Sequence, residues 1–435
     1  MNIYGWIGLL GIIFFTLIPF FNKAHRTREE IQKAIITITI VSGIMIAVLV
    51  FNINFLTAFL LGVLAMILFD RKTYTKKRLT IYGVIILIAG IAAYALLRDN
   101  PNYVIQHLKE NPESSSLYLA ENGEPVITYH STDIRPLAST VKILIALEYA
   151  MQVEENKIQK DQRIPLVDLN RFYWKNTDGG AHEAWLEAVK QNGGIQNNEV
   201  TLHDVAKGMV TYSSNANTDY LINLLGVDAI NQRKTELGLT QHEDVYPIGS
   251  ALLIPDYIQK EGMSEKELIK ALQNLSMEDY RNLAQSISLQ MKTGEIKANE
   301  TTFDSSPAVQ RVWSDRLIGA SANDYGKLLA LISNDELPPN AAETIRDLME
   351  WPMQLNEENY KKYKHIGSKG GSTLFVLNNA MYVENLKGDQ YEIVLLLNDL
   401  KFHEHFLLRN NRKSFESKLM NDANYRDEVH DALLN

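Results

Sequence analysis

Four long apolar stretches crowd the first hundred residues, at about 3–21, 34–51, 55–69 and 81–97, and charge is confined to the segments between them. Each approaches the ~20 residues needed to cross the hydrocarbon core of a bilayer, the third being short. No amphipathic alternation breaks these runs, so they predict four transmembrane helices rather than helices half-buried in a soluble bundle. Segment 22–33 carries Lys23, Arg26, Arg28 and Lys33, and segment 70–80 carries Arg71, Lys72, Lys76, Lys77 and Arg78. The N-terminus and the turn at 52–54 carry no Lys or Arg. This asymmetry predicts that the two basic loops face the cytoplasm, with the N-terminus and everything after Arg98 outside. Three further spans follow the first, which argues against a cleavable signal peptide.

Beyond the predicted membrane region (1–98) the patterning changes. Residues 99–113, with Pro101 and Pro112, read as a linker. Alternating segments 116–120 and 126–130 flank Asn122-Gly123, a pair that favours a tight turn with positive φ, and so predict a hairpin. The apolar run 136–150 reads as a buried helix. Segment 168–185 is irregular and aromatic, with Tyr173, Trp174, Asp178 and His182, and either lines a cleft or packs on the surface. Thr201 and Asp204 have capping-box spacing. The helix they start leads to 212–226, a polar turn feeding an apolar helix. Helical patterning continues at 264–292, 321–333 and 340–353, with a loop at 299–307. Strands follow at 372–382 and 391–397, joined by a turn at 385–389, and a closing helix begins near His403. Strands at both ends with helices between them predict one α+β domain over 114–435 whose sheet pairs the two ends.

Charge and composition narrow the function. The first hundred residues hold ten of the 43 basic and four of the 52 acidic residues, leaving the rest of the chain at −15. That argues against nucleic acid as a partner. There is no cysteine, so the exported domain has no disulfide and rests on its core. The ten histidines form no metal-ligand spacing, and no cofactor is implied.

Candidate chemistry begins at Ser139-Thr140-Val141-Lys142. Residues three apart share a helix face, so the Lys142 amine would lie beside the Ser139 hydroxyl. A desolvated lysine can be neutral enough to activate a serine nucleophile. Two further motifs follow, Ser213-Ser214-Asn215 and Lys369-Gly370-Gly371. Each has a rival. Ser321-Ala322-Asn323 fits the second pattern but reads as a helix N-cap, with Asp324 in the first turn. Lys292-Thr293-Gly294 fits the third, yet no strand follows it, whereas strands and a terminal helix follow Lys369.

In this order the motifs resemble the active-site-serine family of class A β-lactamases and penicillin-binding proteins, whose signature is Ser-x-x-Lys, Ser-Asp-Asn and Lys-Thr-Gly. The resemblance covers roughly 114–425. It implies a β-lactamase or transpeptidase-type domain, an antiparallel sheet flanked by a helical subdomain. It implies Ser139 as nucleophile, Lys142 as base, Ser213 as proton relay to the leaving nitrogen, and Lys369 as the third-motif lysine. Asn215 would bind the substrate amide carbonyl, with Gly370 and Gly371 letting its backbone approach. Ser372 would replace the hydroxyl missing at Gly370. The backbone N–H groups of Ser139 and Ser372 would form the oxyanion hole. The implied activity is acyl transfer on a β-lactam or a D-alanyl peptide of the cell wall, at the outer face of a bacterial membrane. Class A β-lactamases deacylate with a glutamate, and Tyr246 stands in its place here, with Glu243 and Asp244 nearby. Two readings therefore stand beside a β-lactam hydrolase. One is a carboxypeptidase or transpeptidase-like penicillin-binding protein, the other a non-catalytic sensor. A sensor of the receptor type would carry a zinc protease His-Glu-x-x-His, and His182-Glu183 is not followed by the second histidine.

Overall fold

Both faces of β1 (Ser115–Glu121) are buried, because its alternate side chains enter two different cores. Leu117 and Leu119 point to one side, Tyr118 and Ala120 to the other. The residues described by this computed structural model are 98–434, apart from 176, 297–305 and 335. The four apolar stretches lie outside them. Among the described residues no helix is long and apolar enough to cross a membrane.

β1 turns through Asn122 and Gly123, both at positive φ, into β2 (Glu124–Tyr129), which is the expected hairpin. Short strands β3 (Ile134–Pro136), β4 (Arg163–Pro165), β5 (Glu199–Thr201) and β6 (Gly319–Ser321) form two small antiparallel pairs, β3 with β6 and β4 with β5. β7 (Tyr363–Ser372), β8 (Leu377–Asn385) and β9 (Gln390–Leu397) complete the main antiparallel sheet, in the order β2-β1-β9-β8-β7. β1 pairs with β9, so the sheet joins the two ends of the domain. β7 is an edge strand, and its free side runs along the Ser139 turn.

Three layers result. The outer layer on one sheet face is the terminal helices Asn102–Glu110, Phe402–Asn421 and Ala423–Leu434, with Leu108, Leu408 and Phe415 fully buried. The other face packs on the helices between β3 and β7, where helix Lys142–Glu154 is buried almost all round. Helix Ala322–Ser333 lies directly on β1, because Gly326 leaves room for the Tyr118 ring; a Cβ there would be 2.3 Å from it. Fully burying a side chain such as Leu117 or Leu147 contributes about 1.5–3 kcal/mol, so the two cores stabilise the domain without disulfides.

Several expectations change. The stretch read as a linker is helix Asn102–Glu110, whose Val104, Ile105 and Leu108 pack into the core. Its prolines are compatible with this, since Pro101 precedes the first turn and Pro112 opens a 3₁₀ turn, where no backbone donor is lost. The strand expected over 372–382 is two strands. Ser372 ends β7, and a turn closed by Thr373 N–H to Val376 O (3.0 Å) separates it from β8. β7 itself escaped the pattern because an edge strand rich in Lys, Gly and Ser shows no apolar alternation. The helical segment at 264–292 is two helices, Glu265–Asn274 and Met277–Thr293, each started by a serine cap. The Thr201–Asp204 capping box is present.

Candidate active site

β3 delivers the chain into a 3₁₀ turn, Ala138–Val141, that runs straight into helix Lys142–Glu154. Ala138 has φ 47°, a left-handed conformation that an L-residue adopts only when its surroundings hold it. The surroundings are specific. Leu137 N–H bonds to Ile318 O at 2.9 Å, and buried Asn378 donates from Nδ2 to Pro136 O (2.8 Å) while accepting Leu397 N–H (2.9 Å). This turn leaves Ser139 half-buried, with its hydroxyl unbonded among the described residues, and Lys142 fully buried.

The second motif is built from a π-helical turn, Gly208–Tyr212, and helix Asn215–Leu225. Ser213 between them sits at φ 71°, ψ 25°. The third motif arrives on β7, with Lys369 buried opposite Ala380. The three motifs meet at the Ser213 hydroxyl, which lies 3.3 Å from Lys142 Nζ and 3.0 Å from Lys369 Nζ. Lys142 Nζ also donates to Ser213 O (2.7 Å) and Asn215 Oδ1 (3.0 Å), and Lys369 Nζ to Gly370 O (3.0 Å). Two neighbouring buried ammonium groups oppose each other's charge. Burial, then the nearby Lys369, holds Lys142 well below the usual lysine range, with Asp178 and Asp219 opposing. Burial lowers Lys369 to about 7. In a neutral Lys142, two N–H bonds serve Ser213 O and Asn215 Oδ1, and the lone pair is left for a hydroxyl proton.

Gly371 explains how closely β7 approaches. A Cβ there would be 2.4 Å from Leu137 O, 2.7 Å from Thr140 Oγ1 and 2.9 Å from Ser139 N. Strand and turn thus touch backbone to backbone, which brings the Ser372 end of β7 alongside the Ser139 amide. Gly370 is unlike it, since a Cβ there meets nothing nearer than Asn378 O at 3.5 Å. Ser372 is exposed, and its hydroxyl lies 3.1 Å from His405 Nε2.

The rivals lie elsewhere in the chemistry. Ser321 Oγ accepts Asp324 N–H (3.0 Å) as a helix cap. Lys292 ends a helix that Gly294 terminates at φ 81°. Tyr246 is buried, packs edge-on against Tyr280, and donates its hydroxyl to Arg316 O at 2.5 Å. Glu243 accepts Gly319 N–H (2.9 Å), and Asp244 pairs with Lys234.

Three residues lie behind the motifs: Asp178 and His182, from the aromatic segment named above, and Asp219, which was not named from the sequence. Asp178 accepts from Ala181 N, His182 N and Asn215 N, tying the aromatic segment to the second motif. His182 contacts Ser214. Asp219 is fully buried and accepts from Gly249 N (2.9 Å), Ser250 N (2.5 Å) and Ser250 Oγ (2.6 Å). Burial pushes its carboxyl above the usual range against those bonds. A carboxylate one turn after Asn215, inside an apolar helix, is the signal that marks it. The aromatic segment, with Phe172 and Trp174 buried, packs against this turn.

A serine on a strained turn, a buried lysine three residues on, and a second lysine on the edge of a five-stranded sheet define the active-site-serine class of β-lactamases and penicillin-binding proteins. A family model described as the beta-lactamase enzyme family matches residues 102–413, and the chain belongs to that family. Similar solved structures include a beta-lactamase from Chitinophaga pinensis DSM 2588, at 15% identity over 73% of this chain and 99% of that one, with a TM-score of 0.45. PBP-A is similar at 17% identity over 73% and 95%, with a TM-score of 0.43. The TLA-3 extended-spectrum beta-lactamase is similar at 14% over 74% and 98%, with a TM-score of 0.44. No curated protein matches the chain.

Proposed function

We propose that this chain is a membrane-anchored, outward-facing serine acyl-transfer enzyme that forms an acyl-enzyme on Ser139 with β-lactams or D-alanyl cell-wall peptides. The observation that carries this reading is the Ser213 hydroxyl held between two buried lysines. In the mechanism it supports, neutral Lys142 takes the Ser139 proton as Oγ attacks the amide carbonyl. The oxyanion is received by the Ser139 and Ser372 N–H groups. Ser213 passes its proton to the departing nitrogen and is reprotonated from Lys142, so the proton lost by Ser139 leaves on the amine. Asn215 and the Gly370–Ser372 edge hold the substrate. The four apolar stretches and the basic loops between them support the anchor and its orientation.

Deacylation distinguishes the two enzyme readings. Tyr246 is buried with its hydroxyl already donated, and burial raises it well above the usual tyrosine range, so it offers no base to a water. Glu243 and Asp244 are engaged by Gly319 and Lys234. This favours a long-lived acyl-enzyme, as in a penicillin-binding protein, over rapid β-lactam turnover. The test is fluorescent penicillin on the purified full chain, with intact mass followed over hours. A stable adduct lost in Ser139→Ala is expected. No adduct, or one that survives Ser139→Ala, overturns the proposal.

A further inference from the structure

His182 is buried beside the second motif, and the direction of every proton around it can be worked out. Asn217 donates from Nδ2 to Val205 O (3.1 Å), a group that only accepts, so Asn217 Oδ1 faces Ser214. Ser214 Oγ lies 3.1 Å from that Oδ1 and gives it its one proton. Its oxygen is therefore an acceptor for Asn217 N–H (3.3 Å) and for His182 Nδ1 (3.0 Å). The imidazole is thus the Nδ1–H tautomer. The ring stacks on Tyr173, with centroids 4.4 Å apart and planes 24° apart, and lies 5.2 Å from Trp185. Its Nε2 is buried with no partner among the described residues. A second link runs through the backbone, where Asp178 Oδ2 accepts both His182 N–H (3.2 Å) and Asn215 N–H (3.4 Å).

We propose that His182 is a positioning residue for Ser213, acting through Ser214. Ser213 holds φ 71°, a conformation serine keeps only under constraint, and Ser214 is its immediate neighbour and the cap of the Asn215 helix. The His182 Nδ1–H fixes Ser214 Oγ from a separate helix, Ala181–Gln191. Without it the Ser214 hydroxyl is held by Asn217 alone, the Ser213–Asn215 turn relaxes, and the Ser213 hydroxyl leaves its place between Lys142 and Lys369. The inference rests on the acylation of Ser139 proposed above.

The test compares acylation rates with fluorescent penicillin, and melting temperatures, for the full chain and for H182L, H182N and S214A. H182L is expected to acylate about ten- to a hundredfold more slowly, the size of effect an ångström-scale displacement has. H182N, whose side-chain N–H can occupy the Nδ1 position, is expected to stay within about threefold of the parent, and the double variant H182L/S214A to be no slower than H182L. A merely structural role would lower the melting temperature of H182L and H182N together and would give no rescue of the rate. A folded H182L that acylates at the parental rate overturns the proposal. If H182L does not fold, S214A decides, since a parental rate there also overturns it. A parent chain that takes no label removes the acylation reading instead. The ring tautomer then still decides, because ¹⁵N spectra of the labelled chain must show His182 protonated at Nδ1 and bare at Nε2, and the reverse assignment refutes the network.

Discussion

Replacing Gly371 by alanine would drive a methyl group into the backbone of the Ser139 turn. The added Cβ would sit 2.4 Å from Leu137 O and 2.9 Å from Ser139 N. Non-bonded contact of this kind is comfortable at about 3.5 Å, so strand and turn must part by roughly 1 Å. Neither side yields easily. Gly371 is paired with Asn378 and Ser372 with Leu377 in the sheet, while Leu137 is held by Ile318 and Pro136 by Asn378. Overpacking of this sort costs about 1–3 kcal/mol of stability. The larger effect falls on rate, because the Ser139 and Ser372 amides move apart. Losing one oxyanion donor slows acyl transfer about a hundred- to a thousandfold. The assay is the time course of fluorescent-penicillin labelling at saturating drug, with the melting temperature measured separately. The parent chain is the reference, and a folded Gly371→Ala protein that labels as fast as the parent would refute the reasoning.

Other consequences follow from the same geometry. Lys142→Met should slow acylation about a hundred- to ten-thousandfold, the range of a lost general base, and leave the fold intact; undiminished labelling would remove Lys142 from the mechanism. Lys369 is lowered to about 7 from the ordinary lysine value, so the unfolded chain binds the extra proton between those limits. Its burial penalty is full below pH 7 and fades as pH rises, so wild-type stability should climb relative to Lys369→Met by at most about 1.4 kcal/mol per pH unit. Urea unfolding at pH 7 and pH 9.5 checks this, and a gap independent of pH contradicts it. Tyr246→Phe should cost about 1 kcal/mol for the lost bond to Arg316 O and leave the lifetime of the acyl-enzyme unchanged; a longer lifetime would make Tyr246 a deacylation residue after all. Ser321→Ala should lower stability by about 1 kcal/mol and not touch the rate of labelling, as expected of a helix cap.

The main layout was legible because it rests on local signals. Asn122-Gly123 fixes a hairpin whatever surrounds it, and Thr201 with Asp204 caps a helix from within one turn. Serine caps likewise set Ser321 apart from the Ser213–Asn215 motif, since a cap plus an acidic first turn explains that residue fully. Less was legible where neighbours in space override the pattern. Helix Asn102–Glu110 looked like a linker because its amphipathic face is short and acquires meaning only against the two terminal helices. β7 looked like no strand because its partner on one side is the Ser139 turn, which demands glycine where a strand would otherwise carry bulk.

The sequence by itself determined which residues could do the chemistry and in what order they come, because Ser139 and Lys142 are neighbours along one helical start and motif spacing survives folding. It also carried the apolar runs before Arg98 and the net charge after it. The tertiary structure alone decided that Lys142 and Lys369, 227 positions apart in the numbering, flank one hydroxyl. It alone decided that Tyr246 faces Arg316 and that His182 stands behind Ser214. The physical reason is burial. A lysine's proton affinity and a histidine's tautomer depend on which groups exclude water from them, and those groups come from distant parts of the chain.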